Sequence, residues 1–207
     1  MKPKGTIYII AAASGAGKTS LAEALVKTTD NIEFSVSHTT RKIRPGEQDG
    51  KHYHFVEKEE FESLIEEGVF LEHANVFGHY YGTSLKIIDE KVNKGIDVLL
   101  DIDWQGAQQV RQRVESTGIF LLPPSARELR IRLEKRNSDA LDVIETRLAK
   151  AGSEISHYKE FDIVIINDKF EDALLDLQAV VRSQRLKLKN QEVRYGDLLD
   201  ELLGKTS

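Results

Sequence analysis

The chain has no cysteine and only one tryptophan, one methionine and four prolines among its 207 residues. Without cysteine it forms no disulfide and offers no thiolate to a metal, which fits a reducing compartment. No apolar run approaches the ~18 residues of a membrane span, and no secretion-signal core follows residues 1–4. The net charge of −5 argues against sequence-independent binding of nucleic acid. We therefore expect a cytoplasmic protein that binds neither nucleic acid nor membranes.

The chain is built from short apolar runs that alternate with helical patterns. The apolar runs are 7–11, 96–100, 118–122 and 162–166, and the helical patterns are 20–27, 84–93, 105–114, 126–135 and 170–189. Near-continuous apolar runs are typical of parallel strands that are buried on both faces. The alternation predicts an α/β fold with a mostly parallel sheet flanked by helices, and its ligands are expected at the carboxyl ends of the strands.

Two stretches interrupt the alternation and suggest a division of the chain. The first mixes short strand patterns with one helix at 58–67, and the second is helical and highly charged. Insertions beside a ligand site commonly carry a second binding site or a moving lid. We predict a core formed by residues 1–33, 84–126 and 159–207, a substrate subdomain of residues 34–83, a lid of residues 127–158, and a short terminal helix at 197–203.

A phosphate-binding loop follows the first apolar run and is the most specific motif in the chain. Its residues are Ser14, Gly15, Ala16, Gly17, Lys18 and Thr19. Small residues allow backbone N–H groups to point at phosphate oxygens, and the N-terminus of the next helix adds partial positive charge. Lys18 is expected to neutralise the β- and γ-phosphates, and the Thr19 hydroxyl to reach Mg²⁺. The loop therefore predicts a P-loop core that binds a nucleoside triphosphate.

Other charged residues suggest a second substrate and a metal. Arg41 and Arg44 are three residues apart in a polar stretch, where two guanidinium groups can bind one phosphate. Glu72 lies in the apolar segment 70–74, where a half-buried carboxylate needs a partner. Asp101 ends an apolar run, where an acid can orient Mg²⁺ or its waters, and Asp103 faces the same side. In isolation these residues also fit a solvated basic loop, an outward strand residue and a helix N-cap.

Several motifs in the same order make the chain resemble the guanylate kinases of bacteria from about Gly5 to about Lys189. They are SVSHTTR at 35–41, RPGE at 44–47, GKHY at 50–53, FLEHA at 70–74, GHYYGT at 78–83 and LDIDWQG at 100–106. The resemblance implies a P-loop NTPase core with a mixed GMP-binding insertion and a helical lid. It also implies transfer of the γ-phosphate of Mg-ATP to GMP, with dGMP as a second acceptor.

The resemblance further implies roles for individual residues. It assigns the clamp on the GMP phosphate to Arg41, Arg44, Tyr53 and Tyr81, and the reading of guanine to Ser37, Glu72, Thr83 and Asp103. It assigns the ATP site to residues 14–19 with Asn167, the metal to Thr19 and Asp101, and the catalytic cations to Lys18, Arg41, Arg132, Arg136 and Arg147. Guanine offers N1–H and N2–H₂ donors side by side, which one carboxylate accepts together, whereas adenine has an acceptor at N1.

Some residues depart from the family pattern, and other functions stay open. Ala12 replaces the first glycine of the loop, Ala13 replaces a frequent proline, and Asn137 replaces a usual glycine beside the lid. The alternatives are a non-catalytic guanylate-kinase-like module that binds proteins, a kinase for another small acceptor, and a metal site at 52–54. The intact loop and lid arginines favour the enzyme, and the predicted guanine readers favour GMP. A homo-oligomer is compatible with the sequence.

Overall fold

The computed structural model describes residues 2–76, 78–136 and 141–204, and these form an α/β fold. The strands are β1 (Ile7–Ala12), β2 (Ile32–Phe34), β3 (His38–Thr39), β4 (His54–Phe55), β5 (Phe70–Val76), β6 (His79–Ser84), β7 (Asp97–Asp101), β8 (Thr117–Leu122) and β9 (Ile163–Ile166). The helices are α1 (Lys18–Thr28), α2 (Lys58–Glu66), α3 (Leu85–Asn93), α4 (Trp104–Arg113), α5 (Ala126–Arg136), α6 (Leu141–Ile155), α7 (Phe170–Arg185) and α8 (Leu188–Leu202), with a 3₁₀ turn at Ser156–Glu160.

A five-stranded sheet with the order β2-β7-β1-β8-β9 forms the core, and all its pairs are parallel. The two faces of β1 show why its sequence is almost entirely apolar. Tyr8 and Ile10 pack towards α1 and α7, whereas Ile7 and Ile9 pack towards α3 and α4. Residues of alternate parity in a strand point to opposite faces, so burial of both faces requires an unbroken apolar run. The predicted fold class is confirmed.

The edge strand β2 is the part of this sheet that the sequence did not indicate. It has three residues and pairs with β7 from Ile32 to Phe34. Ile32 is buried in the same cluster as Tyr8, but a three-residue strand is too short to show a period.

A second sheet, with the order β4-β3-β6-β5, lies within residues 34–83. The pair β3 and β4 is parallel, and the pairs β3–β6 and β5–β6 are antiparallel, so this sheet is mixed as expected. Phe61 of α2 stacks on Phe70 at 4.5 Å and on Tyr80 at 5.2 Å between ring centroids. These aromatic contacts fasten α2 to the sheet and hold the hairpin β5–β6 in place.

The C-terminal region differs from the prediction at the end of α7. The helix expected at 170–189 ends at Arg185, and α8 begins at Leu188. The backbone of α8 is non-helical at Tyr195, so a separate helical segment follows that residue, close to the terminal helix expected at 197–203. The side-chain amides of Asn190 and Gln191 donate to the carbonyls of Gln184 and Arg185 at 2.9 and 2.8 Å. Because these amides satisfy the last carbonyls of α7, the chain can turn there without leaving them unpaired. In the described ranges, no helix is both long and apolar enough to cross a bilayer.

Candidate active site

The P-loop joins β1 to α1 in the geometry that its sequence predicts. Gly15 and Gly17 have φ of 89° and 90°, a region that favours glycine, and Gly17 is the N-cap of α1. Ala12 is the last residue of β1 and lies in register with Leu121. Its extended strand conformation explains why alanine can replace glycine there. Ala13 is 3% exposed and its carbonyl accepts the N–H of Ala16 at 3.1 Å, which closes the turn.

Lys18 links the loop to the end of β7. Its Nζ forms an ion pair with Asp101 and donates to the carbonyl of Ile102 at 3.1 Å. Thr19 is exposed in the first turn of α1. The structure therefore brings together the predicted lysine and the carboxylate predicted to orient the metal. Thr19, whose hydroxyl is predicted to reach the metal, directly follows the lysine.

Asn167 is hydrogen-bonded to the backbone of the P-loop. It follows β9, is 6% exposed, and its Nδ2 donates to the carbonyl of Ala16 at 2.8 Å. A Cβ at Gly17 would clash with this Nδ2, so the loop needs glycine at that position for space as well as for φ. The contact places Asn167 at the predicted ATP site through the loop backbone, and its role toward adenine stays a prediction.

Helices α5 and α6, which lie in the predicted lid, pack against the loop. Ala13 forms an apolar cluster with Leu129 and Leu133 of α5 and Ala151 of α6. Glu154 of α6 adds a polar contact, because its Oε2 accepts the N–H of Ser14 at 2.9 Å. Ser14 is therefore held by α6 as well as by its position in the loop.

The arginines predicted to act from the lid have different surroundings in the structure. Arg132 donates from Nε to Glu128 at 3.1 Å, one helical turn earlier. The Ser125 hydroxyl accepts the N–H of Glu128 at 3.1 Å and caps α5. Arg147 is half-buried on α6. The side chain of Arg136 and the whole of Asn137 lie outside the described residues.

The predicted phosphate clamp forms around Arg41. This arginine is 9% exposed and makes a two-pronged pair with Glu47, at 3.0 Å for Nη1 to Oε2 and 2.7 Å for Nη2 to Oε1. These hydrogen bonds, together with the Arg44 backbone N–H at 2.8 Å, lower the pKa of Glu47 to about 2. The Arg41 guanidinium lies 5.4 Å from the Tyr53 ring centroid, and the Tyr53 and Tyr81 rings are 5.9 Å apart. Three predicted clamp residues therefore share one cluster, while the fourth, Arg44, is exposed.

The predicted guanine readers form a buried polar chain. Thr83 donates to Glu72 Oε1 at 2.5 Å, and the Ser37 and Thr83 hydroxyls are 3.2 Å apart. Burial, and to a smaller extent the nearby Asp103 carboxylate, raises the pKa of Glu72 to about 7 despite the bond from Thr83. Glu72 is 4% exposed, and a Cβ at Gly106 would lie 2.9 Å from its Oε2. The absence of a side chain at Gly106 therefore gives room to the carboxylate.

The segment from Asp101 to Asp103 joins the two halves of the site. Asp101 contacts Lys18 of the P-loop, whereas Asp103 affects the pKa of Glu72 in the other half. Two residues of extended chain span about 7 Å, so the two sites adjoin. Helix capping, the alternative role considered for Asp101, belongs to Asp103, whose Oδ1 accepts the N–H of Gly106 at 2.9 Å.

Two residues that contact the site were not singled out from the sequence. Glu47 is part of the RPGE motif, and the turn at 45–46 gives a signal that it folds back towards Arg41. Glu154 offers no such signal, since 140 positions separate it from Ser14. The histidines at 52 and 54 have ordinary contacts: His52 Nδ1 accepts the N–H of Gln48, and His54 packs on His38 at 4.7 Å. Within the described part of the chain, no three His, Asp or Glu side chains form a metal-binding group.

Comparison with known proteins agrees with this geometry. The family model for guanylate kinase matches residues 4–184. The guanylate kinase of Vibrio parahaemolyticus serotype O3:K6 is 56% identical over 203 residues, which cover 97% of this chain and 98% of that protein. That of Pasteurella multocida is also 56% identical, over 98% and 99% of the two chains. The crystal structure of guanylate kinase from Anaplasma phagocytophilum matches with a TM-score of 0.77 at 35% identity, over 100% of this chain and 98% of that one. The chain therefore belongs to the guanylate kinase family of ATP:GMP phosphotransferases.

Proposed function

We propose that this chain transfers the γ-phosphate of Mg-ATP to GMP, and also to dGMP, giving ADP and the nucleoside diphosphate. The observation that carries the proposal is the three-residue segment from Asp101 to Asp103. At one end Asp101 pairs with Lys18 of the P-loop, and at the other Asp103 caps the helix whose Gly106 lies against the buried Glu72 carboxylate. A triphosphate and a purine monophosphate bound on the two sides would meet above this segment.

The pocket around Glu72 suits guanine. An ionised Glu72 would accept the N1–H and N2–H₂ groups of guanine, and the Ser37 hydroxyl would donate to O6. The Thr83 hydroxyl could donate to O6 only by leaving Glu72 Oε1, to which it donates in this structure. Adenine would place an acceptor against the carboxylate and leave it without a partner. A site built to hydrogen-bond a substrate group rejects an analogue that lacks the group by about 10⁴- to 10⁵-fold.

The clamp around Arg41 suits a phosphate monoester. Glu47 holds the guanidinium by both terminal nitrogens and so fixes its plane. The remaining N–H groups of Arg41, with the Tyr53 and Tyr81 hydroxyls, would bind the GMP phosphate. Arg44 is exposed beside them and would add a second cation as the phosphate arrives.

The reaction needs electrostatic stabilisation more than proton transfer. A phosphate monoester has its second pKa near 6, so the attacking oxygen is already anionic at neutral pH and no general base is required. Two polyanions must approach in line, and positive charge must gather as they do. We assign that charge to Lys18, Arg41, Arg132, Arg136 and Arg147. Lid closure would bring Arg132 and Arg136 to the phosphates and would exclude water.

The donor set at the loop fits Mg²⁺ bound mainly through phosphate oxygens. Thr19 supplies a hydroxyl and Asp101 a carboxylate, the hard oxygen ligands that Mg²⁺ prefers, and Mg²⁺ sites of this kind need only one or two protein ligands. When bound, the ion would screen the charge of the β- and γ-phosphates. Lys18 would exchange its ion pair with Asp101 for the phosphates.

We also retain the division of the chain into a core, a GMP-binding subdomain at 34–83 and a lid at 127–158. The mixed sheet of residues 34–83 is separate from the parallel sheet, which supports the first boundary. The packing of α5 and α6 on the loop supports the second. A chain without cysteine needs no oxidising compartment to fold, and we propose the cytoplasm as its location.

A coupled assay of ADP formation tests this function. Purified protein is given Mg-ATP with GMP, AMP, CMP or UMP in parallel reactions. We expect turnover with GMP to exceed turnover with the others by about 10⁴-fold. Turnover with a different acceptor would reject the guanine pocket, and binding of GMP without ADP formation would reject the kinase.

A further inference from the structure

Glu154 connects the lid to the P-loop by a directional contact. Its Oε2 accepts the Ser14 N–H at 2.9 Å, and Ser14 lies at the start of the phosphate-binding turn. Glu154 is one residue from the end of α6 and is half-buried. The hydrogen bond therefore fixes this end of α6 to the loop that would bind ATP.

An apolar cluster beside the hydrogen bond packs α5 and α6 against the loop but does not by itself fix their orientation. Ala13 of the loop packs with Leu129, Leu133 and Ala151, which are 4%, 0% and 0% exposed. Apolar contact is non-directional, so it allows a helix to rotate or slide slightly on its neighbour. A hydrogen bond to a backbone N–H prefers an angle above about 150° and weakens steeply below about 120°. Glu154 therefore sets the rotation and the axial register of α6 on the loop.

Arg147 lies on the same face of α6 as these contacts. It precedes Ala151 by four residues and Glu154 by seven, and such spacings place side chains on one face of a helix. Seven residues of α-helix span about 10 Å. Ala151 and Glu154 hold this face of α6 on the loop. Half-buried Arg147 therefore lies on the same face, about two helical turns before Glu154.

We propose that Glu154 is a positioning residue for phosphoryl transfer, because its bond to Ser14 registers α6 so that Arg147 meets the phosphates. The inference rests on the proposed guanylate kinase activity and on the role proposed there for Arg147. A displacement of ~1 Å at a catalytic group can lower the rate by about 10²-fold. Loss of the Glu154 bond would act by such a displacement and would leave GMP binding intact.

Steady-state kinetics of three variants test the role of the hydrogen bond. Glu154→Ala removes the acceptor, Glu154→Gln keeps an oxygen acceptor without the charge, and Ser153→Ala changes an exposed neighbour as the control. We expect kcat to fall about 10- to 100-fold in E154A, with the KM for GMP unchanged, and most of the rate to return in E154Q. Wild-type kcat in E154A, or equal losses in E154A and E154Q, would overturn the proposal. If E154A does not fold, Glu154→Asp withdraws the oxygen by one methylene and should also lose rate.

A double-mutant cycle with Arg147 tests whether Glu154 acts through that residue. If it does, E154A combined with Arg147→Ala should be no slower than R147A alone, within about a factor of two. Losses that multiply would show an independent role and would overturn the proposal. A wild-type protein without GMP-dependent ADP formation would instead reject the proposed function, so the two failures are distinguishable.

Discussion

Glu72 is buried in the proposed guanine pocket and its pKa is raised, so replacing it with glutamine should stabilise the protein in a pH-dependent way. Burial raises the pKa of its carboxyl from 4.5 to about 7. The folded protein therefore holds a proton at Glu72 between these pH values, whereas the unfolded chain has released it. By linkage, the free energy of unfolding of the wild type falls as the pH rises through this window.

The size of the effect follows from the shift. The pKa of Glu72 rises from 4.5 to about 7, and each pKa unit corresponds to ~1.36 kcal/mol. The free energy of unfolding of the wild type is therefore ~3 kcal/mol lower above pH 7 than at low pH. Glutamine has nearly the same shape, its amide oxygen can accept the Thr83 hydroxyl, and it carries no charge to desolvate. The free energy of unfolding of E72Q minus that of the wild type should therefore increase by ~3 kcal/mol between pH 4.5 and pH 8.

Urea denaturation without nucleotide at pH 4.5, 6 and 8 measures this difference. Because all other titrating groups are shared, their contributions cancel when the two proteins are compared at each pH. Glu60→Gln makes the same carboxylate-to-amide change at an exposed position on α2 and is the matched control. A pH-independent difference between E72Q and the wild type would refute the raised pKa. E72Q should also lose the preference for GMP, since its amide donates where guanine also donates.

Two further substitutions test the P-loop lysine and the proposed phosphate clamp around Arg41. Lys18→Met removes the cation at the β- and γ-phosphates and should lower kcat by about 10²- to 10³-fold with little change in the GMP dissociation constant measured by calorimetry; near-normal turnover would reject the role of Lys18. Glu47→Gln releases the plane of Arg41 and should raise the KM for GMP about tenfold, the size expected when a hydrogen bond to a charged group is weakened, while the preference for GMP over AMP stays; an unchanged KM would show that Arg41 needs no such support.

The amino-acid sequence determined the fold class and the position of the P-loop because both depend on local patterns. Apolar runs of strand length predicted β1, β7, β8 and β9, and the small-residue turn before Lys18 predicted the phosphate loop. The replacement of glycine by Ala12 has no conformational cost, because the residue ends a strand. The end of α7 was predicted less well, since the amides that satisfy its last carbonyls belong to residues six positions later.

The tertiary structure decided which charged groups act on one another. Sequence motifs placed Glu72, Thr83 and Asp103 in one candidate pocket, but only folding buries Glu72 and raises its pKa. Likewise, Glu154 meets Ser14 across 140 positions of chain, and no local periodicity can indicate such a pair. Local patterns are set by the backbone, whereas desolvation and long-range hydrogen bonds depend on how the elements pack. Candidate site residues could therefore be predicted from the sequence, whereas their electrostatics and mutual contacts depend on the tertiary structure.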